Sequence, residues 1–189
     1  MAQIMSKQNR SNRHVGTRAA DASLEACLSK MSAGDEAALG EFYHLTRAAV
    51  YGYALSLMKN THDAEDVLQE CFLKLVSAPS AYQAQGKPMA YLLRIVRNLC
   101  VDRLRLRQRR GEEALPETPV YPDTGLSLED RLVIRSCLEG LGDREQQTVL
   151  LHVLGGLRFH EIASFVGEPL STVLSRYRRA MKKLRVLLS

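Results

Sequence analysis

The C-terminal stretch of the sequence combines hydroxyl and cationic side chains at helical spacing. From Pro169 to the last residue there are six basic side chains and no acidic one. Hydroxyl and guanidinium groups hydrogen-bond phosphates, and arginine reads the edge of guanine in the major groove. This chemistry predicts a helix that binds nucleic acid through the following residues: Ser171, Thr172, Ser175, Arg176, Arg178, Arg179, Lys182 and Lys183.

The residues around this stretch have the pattern of a helix-turn-helix. A short helical segment ends at Gly167, and Pro169 suits the first position of a second helix because its fixed φ is already helical. The second helix has one apolar stripe, formed by Val173, Tyr177, Ala180, Leu184 and Leu188. The alternative interpretation is a solvated basic face, since cations near a helix C-terminus complement its dipole. The turn, the proline and the short preceding helix favour the helix-turn-helix.

A second set of polar residues lies in the middle of the chain. Position 94 and the positions 3, 4, 7 and 11 residues later form one surface stripe of a predicted helix running from Met89 to about Arg107, and a polar loop precedes that helix. Aromatic rings that stack on bases, together with cations that follow phosphates, are what gripping a single strand requires. The alternative is that these arginines only solubilise the helix. The residues in this predicted site are Tyr82, Lys87, Tyr91, Arg94, Arg97, Asn98, Asp102 and Arg105.

A third polar set is acidic and belongs to a helix predicted over Asp63 to Ser77. Its acids stand near the helix N-terminus, where the helix dipole is positive. We expect its buried side to consist of Val67, Leu68, Cys71, Phe72, Leu75 and Val76. The polar residues of this helix lie in its first turn or on its outward side, and they are Asp63, Glu65, Asp66, Gln69 and Glu70.

Charge and composition narrow the class of protein. The net charge is +5, but residues 21–80 hold nine acids against four bases, whereas residues 81–110 hold eight bases against one acid. Residues 127–168 are acidic again, seven against four, before the basic final helix. Two blocks that are each acidic and then basic predict two modules. Each module has one face that binds nucleic acid and one face that does not. We also expect the acidic half of the second module to contact a protein partner, since a domain of about sixty residues is marginally stable alone.

Several other classes of protein are disfavoured. No apolar run approaches the ~18 residues of a membrane span, and the first twenty residues read as a disordered basic arm, so we expect a cytoplasmic protein without membrane insertion. The four cysteines are scattered and the histidines lack metal spacing, which predicts buried thiols and neither a metal nor another cofactor. A carboxylate cluster, a phosphate-binding loop and a nucleophile–base pair are all missing from the pattern, so an enzyme is not predicted.

The elements in chain order predict an all-α protein of two small helical domains joined by a flexible linker, the second domain carrying the helix-turn-helix. Gly34-Asp35, Asn60 to Asp63, Ser127 and Gly142-Asp143 are the cap signals between helices. Proline and glycine between Arg107 and Ser127 indicate the linker. The predicted divisions are a basic arm over 1–20, a first domain over 21–107, a linker over 108–126 and a second domain over 127–189.

Three segments in this order resemble the extracytoplasmic-function (ECF) group of bacterial sigma factors. The segment 63–75, DAEDVLQECFLKL, is similar to the polymerase-binding helix of that family, and 90–105, AYLLRIVRNLCVDRLR, is similar to its −10-element helix. The helix-turn-helix resembles its −35 reader. The resemblance covers roughly residues 21–107 and 127–188.

The resemblance implies a role for each polar set. The acidic set Asp63, Glu65, Asp66, Gln69 and Glu70 would dock on the clamp helices of RNA polymerase core. The loop Ala78–Lys87 would hold a flipped base of the −10 element. The strand and its neighbours would be held by Arg94, Arg97, Asn98 and Asp102. The set beginning at Ser171 would read the −35 major groove of promoter DNA. Leu174 stands where the family usually has a basic residue, which implies a distinct −35 preference.

The family also implies an anti-sigma protein that holds the factor inactive. Because no metal or redox site is legible in the sequence, we expect the stimulus to be sensed elsewhere. The alternative function is a free-standing helix-turn-helix regulator. Such a regulator needs a sensing domain and a dimer that reads paired half-sites, and neither a receiver pattern nor a heptad is present in the first module.

Overall fold

The computed structural model describes residues 20–78, 81–83, 86–111 and 127–187, with the side chains of Leu132 and Leu187 left out. Helices joined by short turns and loops make up these ranges, and no strand occurs in them, which confirms the all-α prediction. The helices are α1 (residues 20–32), α2 (Glu36–Met58), α3 (Thr61–Ser77), α4 (Pro88–Arg110), α5 (Leu128–Gly140), α6 (Asp143–Val153), α7 (Phe159–Val166) and α8 (Leu170–Leu187).

Helices α1 to α4 form the first bundle, and the predicted cap signals begin two of them. The Asp35 carboxylate accepts a hydrogen bond from Ala37 N at 3.0 Å, and the Asn60 side chain accepts one from Asp63 N at 3.0 Å. These bonds satisfy amide groups that have no partner inside the helix. The side chains at the centre of the bundle are fully buried; they include Phe42, Val50, Val67, Cys71, Leu92, Val96 and Cys100.

Helices α5 to α8 form the second bundle, which ends in the predicted helix-turn-helix. Ser127 Oγ accepts from Asp130 N at 3.1 Å and so begins α5. Gly167 ends α7 with φ 73°, a left-handed conformation that glycine adopts without steric cost. Pro169 lies one residue before α8 rather than at its first position, and its carbonyl accepts from Thr172 N at 3.0 Å. Buried Ile134, Val149, Leu150, Ile162, Val173 and Ala180 make the core of this bundle.

Helix α4 is longer than the sequence predicted. It continues to Arg110 and ends at Gly111, whose φ of 67° lets its amide turn back to the carbonyls of Arg107 and Gln108. Residues 108–110, predicted as the start of the linker, are therefore helical. The rest of the predicted linker and the predicted N-terminal arm up to residue 19 lie outside the described residues, and the domain boundaries stay a prediction.

The two bundles pack directly against each other, which the sequence did not predict. The middle of α2 lies on α5 and α6 at Gly52, where an added Cβ would be 3.1 Å from Ile134 Cγ1 and 3.3 Å from Leu154 Cδ1. The ring of Tyr53 meets that of Phe165 in α7 edge-on, with centroids 5.9 Å apart. Apolar side chains of both bundles thus belong to one continuous core.

The four cysteines are free and buried, as the sequence predicted. Burial raises the pKa values of the Cys71, Cys100 and Cys137 thiols to about 12, so these thiols are protonated and inert at neutral pH. Over the described ranges, no group of His, Cys, Asp and Glu side chains has the arrangement of a metal site. The helices in the same ranges are too short or too polar to cross a membrane.

Candidate nucleic-acid interface

The predicted single-strand face of α4 is open to solvent. The side chains of Arg94, Arg97 and Asn98 are exposed on the outer side of the helix, opposite the buried Leu92, Leu93 and Val96. Asp102 and Arg105 continue this row toward the C-terminus. Both side chains are exposed, and Asp102 Oδ1 lies 3.9 Å from Arg105 Nη1. Arg94, Arg97 and Asn98, which the sequence predicts to contact a single strand, are thus accessible to a ligand.

An open cleft of about 210 Å³ lies at the N-terminal end of this face, between α4 and the loop that precedes it. The rings of Tyr82, from the loop, and Tyr91, from α4, stand at its wall with centroids 5.0 Å apart and planes tilted by 56°. The cleft is lined by Ala81, Tyr82, Gln83, Lys87, Ala90, Tyr91 and Arg94. Two aromatic faces beside two cations are suited to a planar base with an adjoining phosphate.

The loop at this cleft is held by an acid that sequence reasoning missed. Glu25 of α1 accepts hydrogen bonds from the Tyr82 hydroxyl and from Gly86 N, the latter at 2.7 Å. Glu25 is 57 residues from Tyr82 in the sequence. The residues around Glu25 in the sequence form no recognisable motif, so only the folded structure reveals its contact with the loop.

The predicted DNA-facing side of α8 is also exposed, with one exception. Ser171, Ser175, Arg178, Arg179 and Lys182 point to solvent, Thr172 is half-buried, and Lys183 is exposed while its ammonium lies 2.6 Å from the Glu145 carboxylate. Ser175 Oγ donates to the Thr172 carbonyl at 2.9 Å, one turn back along the helix. The hydroxyl-bearing residues stand in the first two turns of α8, where a recognition helix contacts base edges.

Arg176 is the exception, because only 8% of its surface is exposed. Its guanidinium donates to the carboxylate of Glu168 in the turn, and Arg144 of α6 donates to the other oxygen of the same carboxylate. Burial opposes ionisation of Glu168, but the hydrogen bond and the charges of the two arginines lower its pKa overall. The base-reading role predicted for Arg176 stays a prediction; the structure shows it tying α8 to the turn.

The predicted docking face on α3 is partly engaged with α4. Arg107 donates to both oxygens of Asp63, and Arg103 bonds Asp66 at 3.3 Å and Glu70 at 2.9 Å. Asp66 and Gln69 remain exposed and Glu65 is half-buried. The sequence did not distinguish acids that brace α4 from acids that face outward, because both kinds fall in the same two turns.

Two apolar side chains extend this outward row of α3. Leu73 and Val76 follow Gln69 at steps of four and three residues, and they are 67% and 48% exposed. The prediction that Val76 is buried is wrong, because the helix turn that buries Leu75 directs its neighbour Val76 to the outward side. Exposed apolar groups next to charged ones are common where one protein docks on another.

Ion pairs connect the two bundles, and one of them includes the cleft residue Lys87. Lys87, a predicted strand contact, lies 4.0 Å from Glu161 of α7, and Lys59 lies 2.9 Å from Asp143 of α6. Burial and the charge of Glu161 raise the pKa of Asp21 at the start of α1. The acidic half of the second bundle thus has a partner within this chain.

Comparisons with known proteins agree with this arrangement. The family model described as Sigma-70 region 2 matches residues 42–110, and that described as Sigma-70, region 4 matches residues 131–184. The ECF RNA polymerase sigma factor SigK of Mycobacterium tuberculosis is 30% identical over 171 residues, which cover 86% of this chain and 91% of SigK. This chain belongs to the ECF sigma factors.

Other relatives of this ECF sigma factor are more partial or more distant. SigE of Mycolicibacterium smegmatis is 34% identical over 167 residues, covering 80% of this chain and 63% of SigE. The solved sigma factor RpoE from Bartonella quintana, in complex with the anti-sigma factor NepR, has a TM-score of 0.61 at 23% identity and covers 79% of this chain and 95% of its own. CnrH, in complex with the cytosolic domain of CnrY, has a TM-score of 0.57 at 23% identity and covers 88% and 97%. The two structures share the fold.

Proposed function

We propose that this ECF sigma factor binds RNA polymerase core and directs initiation at a specific set of promoters by contacting melted −10 DNA and duplex −35 DNA. The observation that carries the proposal is the exposed row Arg94, Arg97 and Asn98 beside an aromatic cleft, within the segment that matches sigma-70 region 2. Its role is recognition rather than catalysis. Its place of action is the cytoplasm, where promoter DNA and polymerase meet.

The cleft between Tyr82 and Tyr91 is proposed to take one unstacked base of the −10 strand. Extruding a base costs a few kcal/mol. Stacking on aromatic rings supplies roughly 1–3 kcal/mol per base, and the exposed guanidinium groups of Arg94 and Arg97 attract the phosphates on either side. Asn98 can hydrogen-bond a base edge or sugar, and Asp102 and Arg105 extend the contact along α4.

Helix α8 is proposed to enter the major groove at the −35 element. Its first two turns carry Ser171, Thr172 and Ser175, and the next turns carry Arg178 and Arg179. Phosphate contacts by the hydroxyls and lysines fix the register, while arginine can read guanine edges. The buried Arg176–Glu168 pair supports the angle at which α8 leaves the turn.

The outward row of α3 is proposed to dock on polymerase core. Asp66, Gln69, Leu73 and Val76 form a row that is polar at one end and apolar at the other. Interfaces of this kind bury an apolar centre inside a polar rim. Asp63 and Glu70 support the docking row by fixing α4 against α3.

Binding both promoter elements requires the two bundles to separate. Elements named −35 and −10 are centred about 25 base pairs apart, which is roughly 85 Å of B-DNA. A compact chain of this length has a radius of gyration of only about 16 Å. The chain between Gly111 and Ser127 spans at most roughly 55 Å when extended, enough to let the bundles move apart. The packed arrangement is therefore proposed to be a closed form that opens on core and promoter.

The neighbours RpoE and CnrH were solved with NepR and with the cytosolic domain of CnrY, respectively. By analogy, an anti-sigma protein is a further proposed partner of this chain. Such a protein would stabilise the closed form or cover the row on α3, and either action would prevent core binding.

A footprinting experiment separates this function from the alternative of a free-standing helix-turn-helix regulator. A sigma factor is expected to protect promoter DNA only together with polymerase core, because its two DNA faces are spaced by the enzyme. A regulator would protect duplex half-sites without core. Protection of −35 and −10 DNA only by the holoenzyme supports the proposal, whereas equal protection by the isolated chain contradicts it.

A further inference from the structure

The loop that forms one wall of the cleft is anchored at two points by one carboxylate. The Tyr82 hydroxyl and the Gly86 amide both donate to Oε1 of Glu25, which is half-buried on α1. Gly86 has φ 67°, a conformation that an L-residue adopts only under strain. Its amide donates to the carboxylate in this conformation, so the glycine and the acid form one local unit.

The two anchor points, Tyr82 and Gly86, lie four positions apart in the chain and close to two of the residues that line the cleft. Tyr82 precedes residues 83–85, and Lys87 directly follows Gly86. Both Tyr82 and Lys87 line the cleft. The carboxylate thus bonds Tyr82, whose ring stands beside Tyr91, and the residue that directly precedes Lys87.

We propose that Glu25 is a positioning residue for the −10 base pocket. The inference rests on the proposed function, since it concerns the site in which the extruded base is placed. Ordering a loop at the moment of binding lowers affinity, and a loop that is already ordered avoids this loss. A charged acceptor suits the task because hydrogen bonds to a carboxylate are stronger than neutral ones.

The hydrogen bond between Glu25 and the Tyr82 hydroxyl indicates how Glu25 acts. The Tyr82 hydroxyl is occupied by Glu25, so what Tyr82 offers the cleft is the face of its ring. A carboxylate in contact with DNA would repel its phosphates. Glu25 acts through the loop and does not touch the base.

The test compares holoenzymes containing the unchanged chain, Glu25→Ala, Glu25→Gln and Tyr82→Phe. The probe is a −10 single-stranded oligonucleotide, used either complete or with an abasic site in place of each base in turn. The unchanged holoenzyme is expected to lose at least tenfold in affinity at one abasic position, which identifies the extruded base. If no position matters, the proposed base pocket itself is wrong, and this outcome is separate from a failure at Glu25.

With that position known, Glu25→Ala should weaken binding of the complete strand about tenfold and leave binding of the abasic strand unchanged. Glu25→Gln keeps an acceptor oxygen and should recover most of the loss, and Tyr82→Phe should show a partial loss of the same kind. A Glu25→Ala chain that binds the complete strand normally, or loses equally on both strands, would overturn the assignment. Glu36→Ala, an exposed acid that begins α2, is the matched control and should bind both strands as the unchanged chain does.

Discussion

Gly52 in the first bundle faces Ile134 in the second so closely that any side chain at position 52 would require Ile134 to shift. A Cβ atom at position 52 would lie 3.1 Å from Ile134 Cγ1. A glycine in the interior of α2 costs roughly 0.5–1 kcal/mol of helix stability relative to alanine. In return for this cost, the missing side chain at position 52 allows the two bundles to approach each other closely.

Gly52→Leu is expected to open the closed form without harming the first bundle. The larger side chain overlaps Ile134 and Leu154, while the residue itself favours the helix. Small-angle scattering of the isolated chain should show a larger radius of gyration, with helix content unchanged by circular dichroism. Gly40→Ala is the control, because nothing lies within 4 Å of a Cβ at that exposed position of the same helix. A Gly52→Leu chain as compact as the unchanged protein would argue against a closed form held by this contact.

Glu168 should make the stability of the helix-turn-helix depend on pH. Its pKa is lower in the folded chain than in the unfolded chain. The stabilisation it provides is therefore fully present above its ordinary pKa of about 4.5 and is lost as the pH falls through the folded-state value. Glu168→Gln should lower the free energy of unfolding by about 1–3 kcal/mol at pH 7, because Arg176 loses a charged partner. The difference from the unchanged chain should shrink toward zero in acid.

Urea denaturation at a series of pH values measures this difference. Glu139→Gln serves as the control, since the Arg135–Glu139 pair is exposed on both sides and such pairs contribute roughly 0–1 kcal/mol. A Glu168→Gln deficit that is equal at pH 7 and in acid would show that charge on Glu168 is not the cause.

Alanine substitutions at Arg179 and at Arg176 should have different effects, the first on DNA binding and the second on the stability of the fold. Arg179 is exposed, and Arg179→Ala should weaken −35 binding by about 1–3 kcal/mol if it reads a base, with unfolding unchanged. Arg176→Ala should instead lower the free energy of unfolding, because Glu168 stays behind with a weaker set of partners. Competition among −35 sequence variants for each holoenzyme ranks the preferred −35 bases. A change in that order shows that the substituted arginine reads a base. If Arg176→Ala changes the order of preferred −35 bases and leaves stability intact, its predicted base-reading role is correct and its structural role is minor.

Leu73→Lys should weaken the complex with polymerase core. Leu73 is exposed on α3 in the free chain, so the change leaves the core of the bundle intact while placing a charge at a proposed apolar contact. Titration of fluorescently labelled chain with core should show a loss of about tenfold or more, with thermal unfolding unchanged. Lys74→Ala, the exposed neighbour, is the control. Equal affinities for Leu73→Lys and the unchanged chain would remove Leu73 from the docking surface.

Most of the helices could be predicted because their signals are local. Asp35, Asn60 and Ser127 each cap a helix where the sequence indicated a boundary. The outward position of Arg94 and Arg97 likewise follows from a helical period. One helix end was misplaced, since α4 continues to Arg110, past the predicted start of the linker, and ends at Gly111.

The contacts that the sequence could not supply join residues far apart in the chain. Glu25 meets the loop 57 positions away, and Lys87 meets Glu161 across the two bundles. Arg176 falls on the polar side of the α8 pattern, yet its burial depends on where Glu168 and Arg144 stand after folding. Periodicity places a side chain on a face of its own helix and carries no information about what packs on that face.

Transcription with purified components tests the central claim most directly. Polymerase core is mixed with the unchanged chain, or with an Arg94→Ala, Arg97→Ala double variant, and supplied with promoter fragments from the genome that encodes the chain. The account predicts defined transcripts from a subset of fragments with the unchanged chain, and a strong loss of those transcripts with the double variant despite normal core binding. Transcripts that do not depend on the chain, or full activity of the double variant, would contradict it.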